Sequence, residues 1–330
     1  MKLVNRWTRN TVATVLLGCT AALAHAAPKT RIADAWYAHN AVLLMLGAAD
    51  NIVATVARAR AFPWMYRVAP GLARAQRVDG ATMNAEALLQ LNADIVFTTA
   101  SDPAIVALRR TGLDVVPVSF TDFDSMLACI DLTAKTLDTP LASQRAQAYR
   151  RYLDRTVSDA AREFANVPLD QRPRVLHVAS VDPLKVDGAD TIVDQWIRAA
   201  GGRNAADGLT GNLKTVSIEQ VLAWHPDAIV LAANAGSLDA SPHRALWESL
   251  DAVRAKRVYR NPAGVFPWER YGPEVALEVR WAAQVLHPER AQHDDLVAAT
   301  RDFYATFFGY PLSDADAQRI LAGLPPDGSR

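Results

Sequence analysis

From Arg31 onward the chain alternates two apolar patterns. Short continuous runs rich in β-branched residues are separated by segments whose apolar positions recur at three- and four-residue spacing. The first pattern predicts buried strands and the second amphipathic helices. Strands are predicted over residues 31–36, 51–56, 94–98 and 114–119 in the first half, and over 174–178, 227–231 and 257–259 in the second. Strands and helices alternating in this order imply parallel sheets with helices on their faces.

An internal repeat divides the chain. Glu86-Ala87-Leu88-Leu89-Gln90-Leu91-Asn92-Ala93-Asp94 leads into the apolar run 95–97, and Glu219-Gln220-Val221-Leu222-Ala223-Trp224-His225-Pro226-Asp227 leads into 228–231. The offset is 133 at both the Glu and the Asp, so each copy is a helix-to-strand unit of identical length. Two similar α/β lobes are expected rather than one large sheet.

Between the halves lies a stretch of helix formers interrupted by Pro140. Proline is tolerated at a helix start but not in its interior, so the stretch is read as a helix over 123–137 and a second over 141–166. Twenty-five helical residues span about 37 Å at 1.5 Å each, enough to strut two lobes apart. Leu153, Val157, Ala160, Ala161 and Phe164 give it an apolar face, and Pro168 and Pro173 mark the exit. The expected organisation is a first lobe over 27–121, a helical linker over 122–167 and a second lobe over 168–330. Because bending a packed helix breaks backbone hydrogen bonds, little lobe motion is expected.

The first 26 residues read as a secretory leader. Lys2, Arg6 and Arg9 precede an apolar run and the small-x-small triplet Ala24-His25-Ala26. Cleavage after Ala26 is expected. Leu16-Leu17-Gly18-Cys19 also resembles a lipoprotein processing box, so anchoring at Cys19 is a second possibility. The mature chain is therefore expected outside the cytoplasm, in the periplasm. The whole chain has 35 basic and 35 acidic residues; losing the three basic residues of the leader leaves 32 against 35. That balance gives no electrostatic footprint for nucleic acid. A monomer is expected, and with Cys129 as the lone remaining thiol, in an apolar helical setting, no internal disulfide can form.

Catalytic signatures are missing: there is no phosphate-binding Gly-rich loop ending in Lys-Ser or Lys-Thr, no Gly-x-Ser-x-Gly elbow and no His-Glu-x-x-His pair. No enzyme and no intrinsic cofactor are expected. The histidines lack metal-pair spacing; His225 and His287, each before a proline, read as helix-end residues, whereas His39 and His177 follow or close the first strand of their lobes. Ligands collect at the carboxyl ends of parallel strands, and polar-aromatic clusters fall there: Trp36, Tyr37 and His39 after the first strand, Trp64, Tyr66 and Arg67 after the second, and Trp268, Arg270 and Tyr271 in a proline-flanked loop of the second half. Rings bury apolar surface and a guanidinium offers planar donors to anionic oxygens, which suits a large anionic or chelated solute. Each ring taken alone is as well explained by core packing. Alternatives are a secreted α/β enzyme using Glu269 and His39 as acid and base, and a bare zinc or manganese binder.

The whole mature chain resembles the periplasmic binding proteins for iron-siderophores, haem and cobalamin. The resemblance is carried by the repeat, by 46–54 (Leu-Gly-Ala-Ala-Asp-Asn-Ile-Val-Ala), by Trp196-Ile197-Arg198-Ala199-Ala200-Gly201-Gly202-Arg203-Asn204, and by Trp268-Glu269-Arg270-Tyr271-Gly272-Pro273-Glu274 leading to 281–288. It implies two Rossmann-like lobes with central parallel sheets, joined by one long α-helix. It further implies the substrate-binding component of an ABC importer, binding an iron(III)-siderophore or related metal chelate in the interlobe cleft. The partner would be a permease dimer in the inner membrane, docked through Glu86 on one lobe and Glu219 on the other. The departure at Trp36-Tyr37-Ala38-His39-Asn40, where a small hydroxyl-rich stretch is usual, leaves the chelate and the metal open.

Overall fold

The computed structural model describes residues 30–78, 84–290 and 295–327; the expected leader and Cys19 lie outside them. The first lobe is a five-stranded, wholly parallel sheet in the order β3-β2-β1-β4-β5. Its strands are β1 (Ile32–Asp34), β2 (Ile52–Thr55), β3 (Gln76–Arg77), β4 (Ile95–Thr99) and β5 (Asp114–Val118). Helices α1 (Tyr37–Met45), α2 (Pro63–Val68), α3 (Ala85–Gln90) and α4 (Ile105–Arg110) connect them.

Next come α5 (Phe123–Leu137) and α6 (Pro140–Glu163). The break between them is built as the sequence requires: α5 ends on Asp138 in the left-handed region (φ 47°), Thr139 caps α6 through Ala142 N, and Pro140 takes the first helical position. The observed strut is 24 residues long and ends three residues before the predicted limit, its last turn closed by Phe164. Ala142, Ala146, Tyr149, Leu153 and Ala160 form its buried stripe.

The second lobe holds β6 (Arg174–Val181), β7 (Leu184–Val186), β8 (Arg203–Asn204), β9 (Lys214–Thr215), β10 (Ala228–Leu231) and β11 (Val258–Arg260). Around them pack α7 (Ile192–Ala199), α8 (Ile218–Trp224), α9 (Arg244–Glu248), α10 (Asp251–Arg254) and α11 (Val275–Leu286). The sheet order is β11-β10-β6-β7-β9, with β8 also on β6. Its core strands are parallel, but β7 and β9 pair antiparallel, so this sheet is mixed rather than purely parallel. Those two strands, of three and two residues, carry no run long enough to announce them in sequence. Two last helices, α12 (Leu296–Phe303) and α13 (Asp314–Leu321), complete the described chain.

The repeat has a structural reason. Asp94 accepts a hydrogen bond from Arg31 N at 2.7 Å and Asp227 accepts one from Arg174 N at 2.8 Å. In each lobe the Asp just before β4 or β10 thus staples the start of the first strand, β1 or β6. The arginines return the contact, Arg31 to Leu91 O and Arg174 to Trp224 O, positions again 133 apart.

Each sheet buries both faces. Along β4, Ile95 and Phe97 enter one apolar cluster and Val96 another; along β10, Ala228 and Val230 alternate with Ile229 and Leu231 in the same way. The inward face of both sheets belongs to one continuous core, running from Ile32 and Leu43 through Tyr149 and Leu153 of the strut to Trp196 and Trp281. Arg145 donates to Met45 O of the first lobe (3.1 Å) and the Tyr149 hydroxyl to Pro273 O of the second (2.8 Å), so the first half of the strut is tied to both lobes within one turn.

Candidate ligand cleft

The carboxyl ends of β1 and β5 and the loop before α11 bring three rings together. Trp36 lies 5.0 Å from Phe120 and 6.0 Å from Tyr271, and Phe120 meets Tyr271 edge-on at 5.7 Å. Beside them, Phe62 of the first lobe stacks on Phe266 of the second at 5.3 Å and 19°, with Tyr37 against Phe62. Trp36, Phe120, Tyr37 and Phe62 come from one lobe, Tyr271 and Phe266 from the other. The lobes therefore touch ring to ring across the cleft, and Phe123 N, donating to Gln195 at 2.6 Å, adds a polar tie.

Arg270 stands beside Tyr271 with its side chain 15% exposed. Its two terminal nitrogens donate to the two carboxylate oxygens of Asp187 at 3.1 and 3.0 Å. Asp187 is fully buried and also accepts from His177 Nδ1 (2.8 Å) and from Leu213 N (2.9 Å). Burial would raise its carboxyl pKa, but the His177 and Arg270 donors outweigh that and hold it well below the usual carboxylate range. Leu213 is 51% exposed with a left-handed backbone (φ 56°), and its neighbour Asn212 donates to the Tyr271 hydroxyl. Behind this group, Glu269 is buried with its carboxyl pKa raised by desolvation, and one of its oxygens, like His177 Nε2, has no hydrogen-bond partner.

The sequence-predicted residues separate into two sets. Trp36, Tyr37, Arg270 and Tyr271 do converge on the cleft. His39 does not: it is fully buried beneath β1, bonded to Asp34 (3.1 Å) and Thr133 (2.9 Å) and packed on Phe97. Trp64 is buried, its indole donating to Leu324 O, and Trp268 is buried, its indole donating to Glu274. These three are core residues, because each polar edge is already satisfied inside. Tyr66 is half-buried and donates to Ala57 O, while the exposed Arg67 turns toward Tyr310. Sequence reading missed Phe62, Phe120, Phe266, Asn212, Leu213 and Asp187 as wall residues. Only Phe62 and Phe266, each in a Phe-Pro-Trp run that leads into a predicted cluster, carry a local signal; Asp187 sits on no motif.

Glu269 and His39 lie in opposite lobes, each enclosed by its own neighbours, so the acid–base pair considered from sequence does not form. Among the described residues no group of three or more His, Cys, Asp or Glu side chains is arranged to hold a metal ion. The Cys129 thiol is buried and its pKa is pushed up to about 12, which leaves it unreactive. Glu86 and Glu219 are exposed, each the second residue of its helix, α3 behind the Asn84 cap and α8 behind the Ser217 cap. A surface groove of about 600 Å3 lies apart from all of these, behind the strut, among Tyr152, Arg155, Glu163, Arg280 and Arg290.

A family profile described as periplasmic binding protein matches residues 35–264. The molybdate-binding protein MolA of Haemophilus influenzae is 28% identical over 284 residues, covering 77% of this chain and 78% of that protein. Its molybdate-bound structure superposes with a TM-score of 0.75 at 23% identity, covering 87% and 95% of the two chains. A periplasmic solute-binding protein of Veillonella parvula gives a TM-score of 0.77 at 24% identity, covering 88% and 91%. The Helicobacter pylori protein CeuE with bound Ni(II) gives 0.72 at 19%, covering 89% and 95%.

Proposed function

The chain belongs to the periplasmic binding protein family, whose members serve ABC importers, and on that premise we propose that its own cargo is a small oxyanion of the molybdate type, held at Arg270 between the lobes. The observation that carries this reading is the pairing of a nearly buried, rigidly held guanidinium with rings that already meet across the cleft. Ring centroids 5–6 Å apart are in contact, so no flat chelate slides between them without moving a lobe or a ring. A compact anion needs only one side edge of the guanidinium, and the two bonds to Asp187 use just two of its five N–H groups. The relative bearing the name molybdate-binding supports the same chemistry.

The iron(III)-siderophore reading, or another metal chelate, has an observation of its own. Tyr37 is 41% exposed and rests on the half-buried Phe62, and an exposed ring at the rim is a surface that a flat aromatic ligand would stack on. Titration calorimetry on the protein freed of bound solutes separates the two. Sodium molybdate is expected to bind at about micromolar Kd or tighter, and Arg270→Ala to weaken it by about tenfold to a hundredfold, the range for losing charge-assisted hydrogen bonds. A flat molybdate titration together with saturable tryptophan quenching by a ferric tris-catecholate would replace the oxyanion with the chelate.

A further inference from the structure

We infer that Asp187, oriented by His177, is the positioning residue of the cleft: it sets at once the direction of the Arg270 guanidinium and the conformation of the lip formed by Asn212 and Leu213. The inference rests on the reading of Arg270 as the ligand-holding group.

Asp187 lies one residue beyond β7, fully buried, and its carboxylate serves four donors. Two are the Arg270 nitrogens, which take one oxygen each. The third is His177 Nδ1 on β6, and the fourth is Leu213 N on the segment leading into β9. The backbone is fixed as well, because Asn204 of β8 donates to Asp187 O at 3.2 Å. An aspartate held at its carboxylate from β6 and the segment before β9, and at its backbone from β8, has little freedom to turn. Whatever it grips inherits its direction.

Two wall features inherit it. A guanidinium gripped end-on by both oxygens keeps its plane and presents its free edge in one direction. Leu213 occupies a left-handed conformation that a branched residue adopts only where the surroundings enforce it. The enforcing contact is the bond from Leu213 N to Asp187, and the result is a leucine half out in solvent beside Asn212, which reaches Tyr271. One buried acid thus joins the charged, the apolar and the aromatic parts of the second lobe's wall. The His177 side chain has no exposed surface, and among the described residues the bond from its Nδ1 to Asp187 is its one hydrogen bond.

Charge and position predict opposite outcomes, which makes the inference testable. Asp187 partly neutralises Arg270, so if only charge counted, Asp187→Asn would tighten the binding of an anion. If position counts, freeing the guanidinium weakens it. Calorimetric titration with sodium molybdate, at fixed pH and ionic strength, is expected to show Asp187→Asn and the charge-conserving Asp187→Glu each weakened about tenfold or more. With Arg270→Ala already present, neither change is expected to weaken binding further. His177→Phe, which keeps a ring but loses the donor, is expected to fall in the same direction, and His177→Asn, which restores a donor near Nδ1, to recover most of the loss. Thermal unfolding of each variant confirms that it is folded; if the Asp187 variants do not fold, the His177 pair decides alone. Tighter binding by Asp187→Asn, unchanged binding by Asp187→Glu, or equal affinities for the two His177 variants would overturn the positioning role while Arg270 stands. An Arg270→Ala variant that binds like the parent would instead remove the reading on which it rests.

Discussion

Whether an aromatic side chain serves the core or the cleft was not legible from its type. Trp36 and Trp64 both follow a strand and both sit among aromatics, yet Trp64 sends its indole N–H to Leu324 O, a partner 260 residues away. No local pattern encodes such a distant acceptor. The same holds for His39, whose second partner, Thr133 on α5, lies 94 residues away. What sequence could place was a strand end or a proline-flanked loop, and so Trp36, Arg270 and Tyr271, which the structure brings together, carried a local signal whereas Asp187, a single acid among many, did not. Leu213 offers a prediction at this scale. Its left-handed backbone costs about 1–2 kcal/mol for a residue with a Cβ, offset in part by the extra freedom a glycine loses on folding. Leu213→Gly is therefore expected to stabilise the protein by about 0.5–1 kcal/mol, raising the thermal midpoint by about 1–3 °C, and a calorimetric scan checks it.

Elements were far more legible than side chains. α5 falls on the predicted limits, and the first-lobe strands β1, β2, β4 and β5 lie within two residues of theirs, because apolar runs and caps are local signals. The short β3, β7, β8 and β9 were not foreseen; a two-residue strand exists through its partner, as Lys185 pairs with Thr215, and leaves no period of its own. The repeated Asp belongs to this scale, since Asp94 and Asp227 each hold one strand start to another. Asp94→Ala and Asp227→Ala are each expected to cost about 1 kcal/mol, the net worth of one such hydrogen bond near solvent. Lying in different lobes and sharing no partner, they are expected to add in the double variant. Urea unfolding midpoints read this directly, and a double variant no less stable than either single one would count against the staple.

For the molecule as a whole, the two-lobe plan was readable because the 133-residue repeat and the proline-bounded helix are both visible in sequence. Less visible was that one core runs through both lobes and the strut. A shared core makes the lobes thermodynamically one unit, so denaturant unfolding is expected to give a single transition, with tryptophan fluorescence and circular dichroism coinciding; separated transitions would mean independent lobes. Glu86 and Glu219 are exposed, each the second residue of its helix in its own lobe, and we propose that they meet a permease dimer. Reversing both, Glu86→Lys with Glu219→Lys, is expected to abolish uptake in cells while leaving the calorimetric affinity for molybdate within about twofold, as rim charges seldom reach a distant site.

The double tie of the strut, Arg145 to Met45 O and Tyr149 to Pro273 O, has a bearing on signalling. If those ties hold the halves in place, the carrier offers an importer the same silhouette whether laden or empty. The news of occupancy would then have to travel as a local change in stiffness or surface chemistry at the cleft mouth. Interlobe fluorophore distances that stay constant on loading, while amide exchange slows near residue 213, are the signature of such a messenger.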